Sequence, residues 1–176
     1  MSVKKAASAR RSVQVEVEVP GSTQSAVARR AAEAELRTLI DKFAPAHLRL
    51  IVAMRRWLRK RLPTAHEVVY EYRAWIAISY SPNEHGYEGV LGIRASADGA
   101  KLFFNHAKEL PDPAKLLQGS GGQVRLIDVV GASMLARPEV ARLIDEAIAR
   151  NPVPFARAGR GSVVIRSTSA KRRRPA

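Results

Sequence analysis

Four short apolar stretches lie between residues 68 and 105, separated by turn signals, and they limit the fold of this chain more than any other feature. Val68, Tyr70 and Tyr72 alternate with Val69, Glu71 and Arg73, and Ile76, Ile78 and Tyr80 continue as an apolar face. The segment SPNEHGYEG (residues 81–89) then turns the chain, and residues 90–95 and 102–105 read as further strands around Asp98-Gly99. Strands joined by turns this short pair antiparallel, because a parallel crossover needs a dozen or more residues.

Helical periodicity flanks this β-rich middle. Ser22 or Thr23 caps a helix that runs to about Phe43, with Leu36, Leu39, Ile40 and Phe43 on one face. Pro45 interrupts it, and a second helix runs from about Ala46 to Leu62, stopped by Pro63. Its apolar positions Leu48, Ile51, Val52 and Leu58 leave Arg49, Arg55, Arg56, Arg59 and Lys60 outward. Asp112 followed by Pro113 reads as the start of a short helix ended by Gly119, and residues 124–129 as a last core strand. Pro138 opens a helix to about Arg150, with Val140, Leu143, Ile144, Ala147 and Ile148 on its apolar side. Helices before and after a run of strands give an α+β class, a mainly antiparallel sheet with helices packed on one face.

The 176 residues suffice for one domain with a real core, and no internal repeat divides them. That domain is expected over residues 22–152. Before it lies a basic extension, residues 1–21, in which Val13, Val15, Val17 and Val19 alternate with polar residues as in a half-buried strand. After it, residues 153–176 read as a basic, largely disordered tail, in which residues 162–165 could add an edge strand. The net charge of +14 sits mostly on these ends. Residues 1–12 and 153–176 hold eleven of the fourteen charges, which leaves +3 for residues 13–152. Cysteine is absent, which removes disulfides, thiol catalysis and cysteine-ligated metal sites. No stretch is long and apolar enough for a bilayer span or a signal-peptide core, so a cytoplasmic protein without membrane contact is expected.

Residues 101–127, KLFFNHAKELPDPAKLLQGSGGQVRLI, followed by RPEVARLIDEAIAR, resemble the signature half of the YdhG-like family of bacterial domains of unknown function. Upstream, HEVVYEYRAWIAISYSPNEHGYEGVLGI is similar to the central strands of that family, and together the blocks span roughly residues 35–150. The resemblance implies a YdhG-like α+β domain. Where the family typically places lysine after a glycine, small residue, glycine run, this chain has Gly122 after Gly119, Ser120 and Gly121. Some members are similar to bacterial frataxins, which implies iron handling as one alternative. That role asks for exposed carboxylates, and the helices before the sheet offer only Glu33, Glu35 and Asp41 among many arginines.

No catalytic constellation emerges from the residues. The Gly119–Gly122 turn leads into a strand rather than opening a helix, so it lacks the setting of a phosphate loop. His47, His66, His85 and His106 show no helical metal spacing, and no metal or other cofactor is expected. No nucleophile elbow surrounds Ser133, and Glu67 and Glu71 suit an ordinary sheet face. A non-enzymatic binding domain for a small ligand or a protein partner is the leading expectation. Tyr70, Tyr72, Trp75, Phe103 and Phe104 have the spacing of core residues, and the alternative is that some line a cleft between sheet and helices. Arg73, His106 and Arg125 would supply polar contacts there. A second expectation is weak, sequence-independent nucleic-acid contact through the tails, including Lys171, Arg172, Arg173 and Arg174, extended by Arg55, Arg56, Arg59 and Lys60.

Overall fold

The computed structural model describes residues 24–167. The valine alternation at 13–19 and the basic run at 171–174 lie outside the described residues. Helix α1 (Ala26–Ile40) begins later than the sequence suggests, because Ser25 rather than Ser22 or Thr23 caps it, its Oγ accepting the Ala28 N–H at 3.1 Å. Helix α2 (Pro45–Arg61) has proline in its first turn, where the missing N–H costs nothing, and ends on three basic residues that suit the helix dipole. Helix α3 (Pro138–Arg150) starts in the same way.

Between α2 and α3 run β1 (His66–Glu71), β2 (Trp75–Ser81), β3 (Leu91–Ser96), β4 (Gly99–Phe104) and β5 (Arg125–Val129). They form an antiparallel meander, and β6 (Val163–Ser167) joins β1 in parallel, so the order across the sheet is β5-β4-β3-β2-β1-β6. The fold therefore does not end at residue 152. The suggested edge strand near 162–165 is part of the sheet, and three local contacts seat it. The Gln24 side-chain amide bonds both the C=O and the N–H of Val163, as a neighbouring strand would. Gly161 passes so close to β1 that a Cβ there would sit 1.8 Å from the Ala65 carbonyl oxygen. The Arg29 guanidinium donates to the Gly161 carbonyl.

The short helix expected after Asp112 does not form. Its carboxylate accepts the N–H groups of Leu116 and Leu117 at 3.0 and 2.8 Å, which closes an isolated turn. Lys115, at φ 53°, then takes the left-handed conformation that ends any helical path. Gln118 pairs with Leu126 beyond this turn, so residues 119–124 form a loop that enters β5.

Strand alternation divides the sheet into two faces. The cross-strand row Val69, Ile78, Ile93, Leu102 and Ile127 faces the helices. There it packs with Leu36 and Ile40 of α1, Ile51, Met54 and Leu58 of α2, and Leu143 and Ile144 of α3 in one core. Burying such side chains contributes about 1.5–3 kcal/mol each. Val68, Ala77 and Phe103 are also buried but stand outside that cluster, on the opposite face. Among the described residues no helix is long and apolar enough to cross a membrane.

Candidate functional site: a groove on the uncovered face of the sheet

Two adjacent cross-strand rows build the floor of a groove on the face that the helices leave bare. One row runs Tyr70, Ala77, Arg94, Lys101 and Asp128; the other runs Val68, Ser79, Gly92, Phe103 and Leu126. Gly92 is what allows the floor to be flat. A Cβ at this position would lie 2.5 Å from the Phe103 ring and 2.3 Å from the Ile78 carbonyl oxygen, so the ring rests across the bare backbone of β3. Tyr70, Tyr72, Trp75 and Arg94 rise around the floor, and Val124 and Leu126 close the side toward β5. The hollow measures about 280 Å³, near the lower end of the roughly 300–1,000 Å³ typical of small-molecule sites.

The loop between β2 and β3 forms the remaining wall. Gly86 adopts φ 80°, and the Tyr70 hydroxyl occupies the space where a Cβ of that residue would stand. The Asn105 amide donates to the Gly89 carbonyl at 2.6 Å and ties the loop to the end of β4. Beneath Gly89 lies the Ser79 Oγ, fully buried and without a hydrogen-bond partner among the described residues, an arrangement that leaves a hydroxyl's desolvation uncompensated.

The chemistry of the groove comes from one stack and one cation. Tyr72 and Trp75 face each other at the tip of the β1–β2 hairpin, their ring centroids 3.8 Å apart and their planes 18° from parallel. The Arg94 guanidinium lies 4.5 Å from the Trp75 ring centroid, within cation–π range. No carboxylate pairs with Arg94 among the described residues. Lys101, its neighbour in the row, is neutralised by Asp128 at 2.6 Å, and the hydrogen bond from Lys101 holds the Asp128 carboxyl below its ordinary pKa. Burial pushes the Tyr70 hydroxyl pKa up, with the Arg166 charge opposing.

Tyr70, Tyr72 and Trp75 thus come together, but on the face away from the helices; the side expected to hold a cleft is filled by the core. The residues expected to supply polar contacts lie elsewhere. Arg73 is exposed at the hairpin tip beside Tyr72 and Trp75, outside the groove lining. His106, in a left-handed conformation at φ 53°, borders a separate small hollow with Val90, Leu110 and Ala147. Arg125 donates to the carbonyls of Gly121 and Val124, bracing the loop before β5. Phe104 belongs to the core, while Phe103 lines the groove. Arg94, Ser79 and Gly92 were missed by sequence reasoning. The available signal for Arg94 was its parity, a lone charge among apolar residues in LGIRAS.

Two of the four residues of the basic patch expected on α2 are engaged in ion pairs. Arg55 Nε and Nη2 hold Glu67 through a two-pronged pair at 2.8 and 2.6 Å, and its Nη1 reaches Glu33 at 2.7 Å. Arg59 also bonds Glu33, at 2.9 Å, and the Tyr80 hydroxyl donates to Glu67 at 2.9 Å. Glu67 is only 2% exposed. Burial works against ionisation of Glu33, but the bonds and charges of Arg55 and Arg59 outweigh it and lower its pKa. Arg55 and Arg59 are therefore parts of a structural network, and Arg56 and Lys60 remain exposed. Asp41 pairs with Arg37, and Glu71 with Lys42. Among the described residues no three His, Asp or Glu side chains converge as metal ligands.

His66, Ser162 and Glu84 meet near the start of β6 and are of the types found in hydrolytic triads, but their bonds run the wrong way. Ser162 Oγ donates to Glu84, and His66 Nδ1 accepts the Ser162 backbone N–H at 3.2 Å. The hydroxyl proton goes to the carboxylate and not to the imidazole, so the serine–histidine pairing of a hydrolytic triad is not formed. The cluster fastens β6 to the β2–β3 loop. No family model, no curated protein and no solved structure matches this chain.

Proposed function

We propose that the chain is a YdhG-like, non-enzymatic cytoplasmic binding domain that holds a small, mostly apolar ligand on the uncovered face of its sheet. The observation that supports this reading most directly is Arg94, a guanidinium without a carboxylate partner among the described residues, set among aromatic walls. Apolar lining supplies affinity through area removed from water, about 25 cal/mol per Å², and Arg94 orients an acceptor or anionic group on the ligand. The buried histidine and glutamate best suited to acid–base work, His66 and Glu67, are engaged in the bonds that hold β1, β6 and α2 together, which favours binding over catalysis.

Native mass spectrometry of the gently purified full chain, beside an Arg94→Met variant, tests the reading. An extra mass on the parent that the variant loses supports a groove ligand. A clean parent, together with a Trp57→Phe form whose Trp75 emission ignores an apolar anionic dye such as anilinonaphthalene sulfonate, removes it.

A further inference from the structure

Trp75 has no face left for a ligand. Tyr72 stacks on it at 3.8 Å and the Arg94 guanidinium lies over it at 4.5 Å, and two planar groups this close cannot share one side of a ring. Tyr72, Trp75 and Arg94 therefore form a three-layer stack that holds the guanidinium in a fixed plane. Among the described residues its donors meet no carboxylate, so they stand ready as a pre-organised fork. The neighbouring cation is cancelled, because Lys101 pairs with Asp128 at 2.6 Å. Arg94 is thus the one charged residue in the groove lining among the described residues. Beside it the floor is low and flat. Ala77 stands opposite Arg94 and Gly92 opposite Ser79 across the β2–β3 pair, and the Phe103 ring rests on the bare backbone of Gly92. Gly89 closes off the Ser79 Oγ, and Val124 and Leu126 make the far wall apolar.

We propose that the groove takes a small aromatic carboxylic acid with an apolar far end, its carboxylate gripped by two donors of Arg94 and its ring flat on the floor of Ala77, Gly92 and Phe103. The inference rests on the groove being a binding site, and it narrows the class of ligand. The link between ring and carboxylate is short, since the fork lies directly beside the floor: Arg94 and Gly92 are two residues apart on β3, about 6.6 Å. A carboxylate matches the planar fork through two parallel hydrogen bonds. One negative charge also matches one cation, whereas the second charge of a phosphate ester would sit unpaired against apolar walls. A flat ring keeps van der Waals contact along the whole floor, and a puckered aliphatic ring touches it only at points.

The test is calorimetric titration of the full chain with naphthoate, naphthamide, naphthyl phosphate and decalin carboxylate. Naphthoate is expected to bind most tightly, ahead of naphthamide by roughly ten- to 150-fold, the scale of hydrogen bonds to a charged group. Arg94→Met should erase that preference while leaving naphthamide binding nearly unchanged, a pattern that misfolding would not give. Arg94→Lys keeps the charge but loses the fork, so it should retain only part of the preference, and it serves if the methionine variant fails to fold. Naphthamide binding as tightly as naphthoate, or a preference for naphthoate that survives Arg94→Met, overturns the assignment of an acid to Arg94. Naphthyl phosphate bound more tightly than naphthoate would assign the groove to phosphate esters, and decalin carboxylate bound equally well would remove the need for an aromatic ring; either result overturns the proposal. Binding of none of the four, while Trp75 emission in a Trp57→Phe form responds to anilinonaphthalene sulfonate, overturns it and leaves the groove reading standing. Silence toward the dye as well defeats both.

Discussion

Each face of this sheet holds a partly or fully shielded arginine, and the two are treated in opposite ways. On the helix side Arg55 meets two carboxylates, and one of these also accepts a tyrosine hydroxyl. On the other side Arg94 has a tryptophan ring and no carboxylate among the described residues. A guanidinium taken out of water costs several kcal/mol unless its donors are satisfied. The helix side satisfies them and gains a fixed geometry between α1, α2 and β1. The groove side gives its guanidinium an aromatic face instead. The difference teaches that the charge total of this chain says little about function; what counts is which cations already have partners.

The sharpest way to break that comparison is to remove the helix-side anion. Glu67→Ala leaves Arg55 half-satisfied beneath α2 and is expected to lower stability by about 3–5 kcal/mol, read from urea unfolding. Replacing both partners with apolar residues, Arg55→Met with Glu67→Leu, should recover part of that loss. Arg94→Met is expected to change stability by no more than about 1 kcal/mol, the scale of a partly exposed cation–π contact. Similar costs for Glu67→Ala and Arg94→Met would abolish the distinction between the two faces.

Gly92→Ala comes next in size. The added methyl meets the Phe103 ring and, more stubbornly, the Ile78 carbonyl oxygen at 2.3 Å. Ring rotation relieves the first contact, but only a backbone shift relieves the second, so a loss of about 1–3 kcal/mol is expected. Thermal unfolding measures it. The same change tilts Phe103 out of the floor, so any groove ligand should bind more weakly than stability alone accounts for.

The α+β class, the antiparallel meander and the helices at 26–40, 45–61 and 138–150 were legible in the sequence because each rests on local periodicity and proline punctuation. Tyr70, Tyr72, Trp75 and Phe103 were picked out by strand spacing together with Phe104, which belongs to the core. Their face was not, because Val68 and Val69 are both apolar, and alternation then leaves the choice of side to Glu67, whose partners lie on α1 and α2. The α2 arginines read as outward for the same reason: a helical pattern cannot reveal a carboxylate on a distant strand. The Asp112 turn misled because a side-chain cap and an isolated turn use the same residues, and only the left-handed Lys115 separates them. The position of β6 depends on Gln24 and on Arg29, both more than 130 residues away in the chain.

The smallest expected effect separates the faces by pH. His66 belongs to the open-face side of β1, and burial depresses its pKa below the ordinary 6.5, with the Arg29 charge adding to the shift and Glu84 opposing it. Well above pH 6.5 the imidazole is neutral in both states and adds no slope. As pH falls below that value the unfolded chain takes up the proton first, so stability declines, and the decline levels once the folded histidine is protonated too. Protonation also removes the Nδ1 lone pair that accepts the Ser162 N–H, loosening the anchor of β6. On the helix side Glu33 acts in a lower window: its folded pKa lies below the ordinary 4.5, so its contribution is intact above that value and is lost as pH falls through the folded one. Melting temperatures taken between about pH 7.5 and pH 5 should therefore fall in the parent. In His66→Gln, whose amide oxygen accepts the same N–H at any pH, they should fall less, while both proteins share the later loss below about pH 4.5. An unchanged slope in His66→Gln would assign the first window to another group and leave the β6 anchor insensitive to protons.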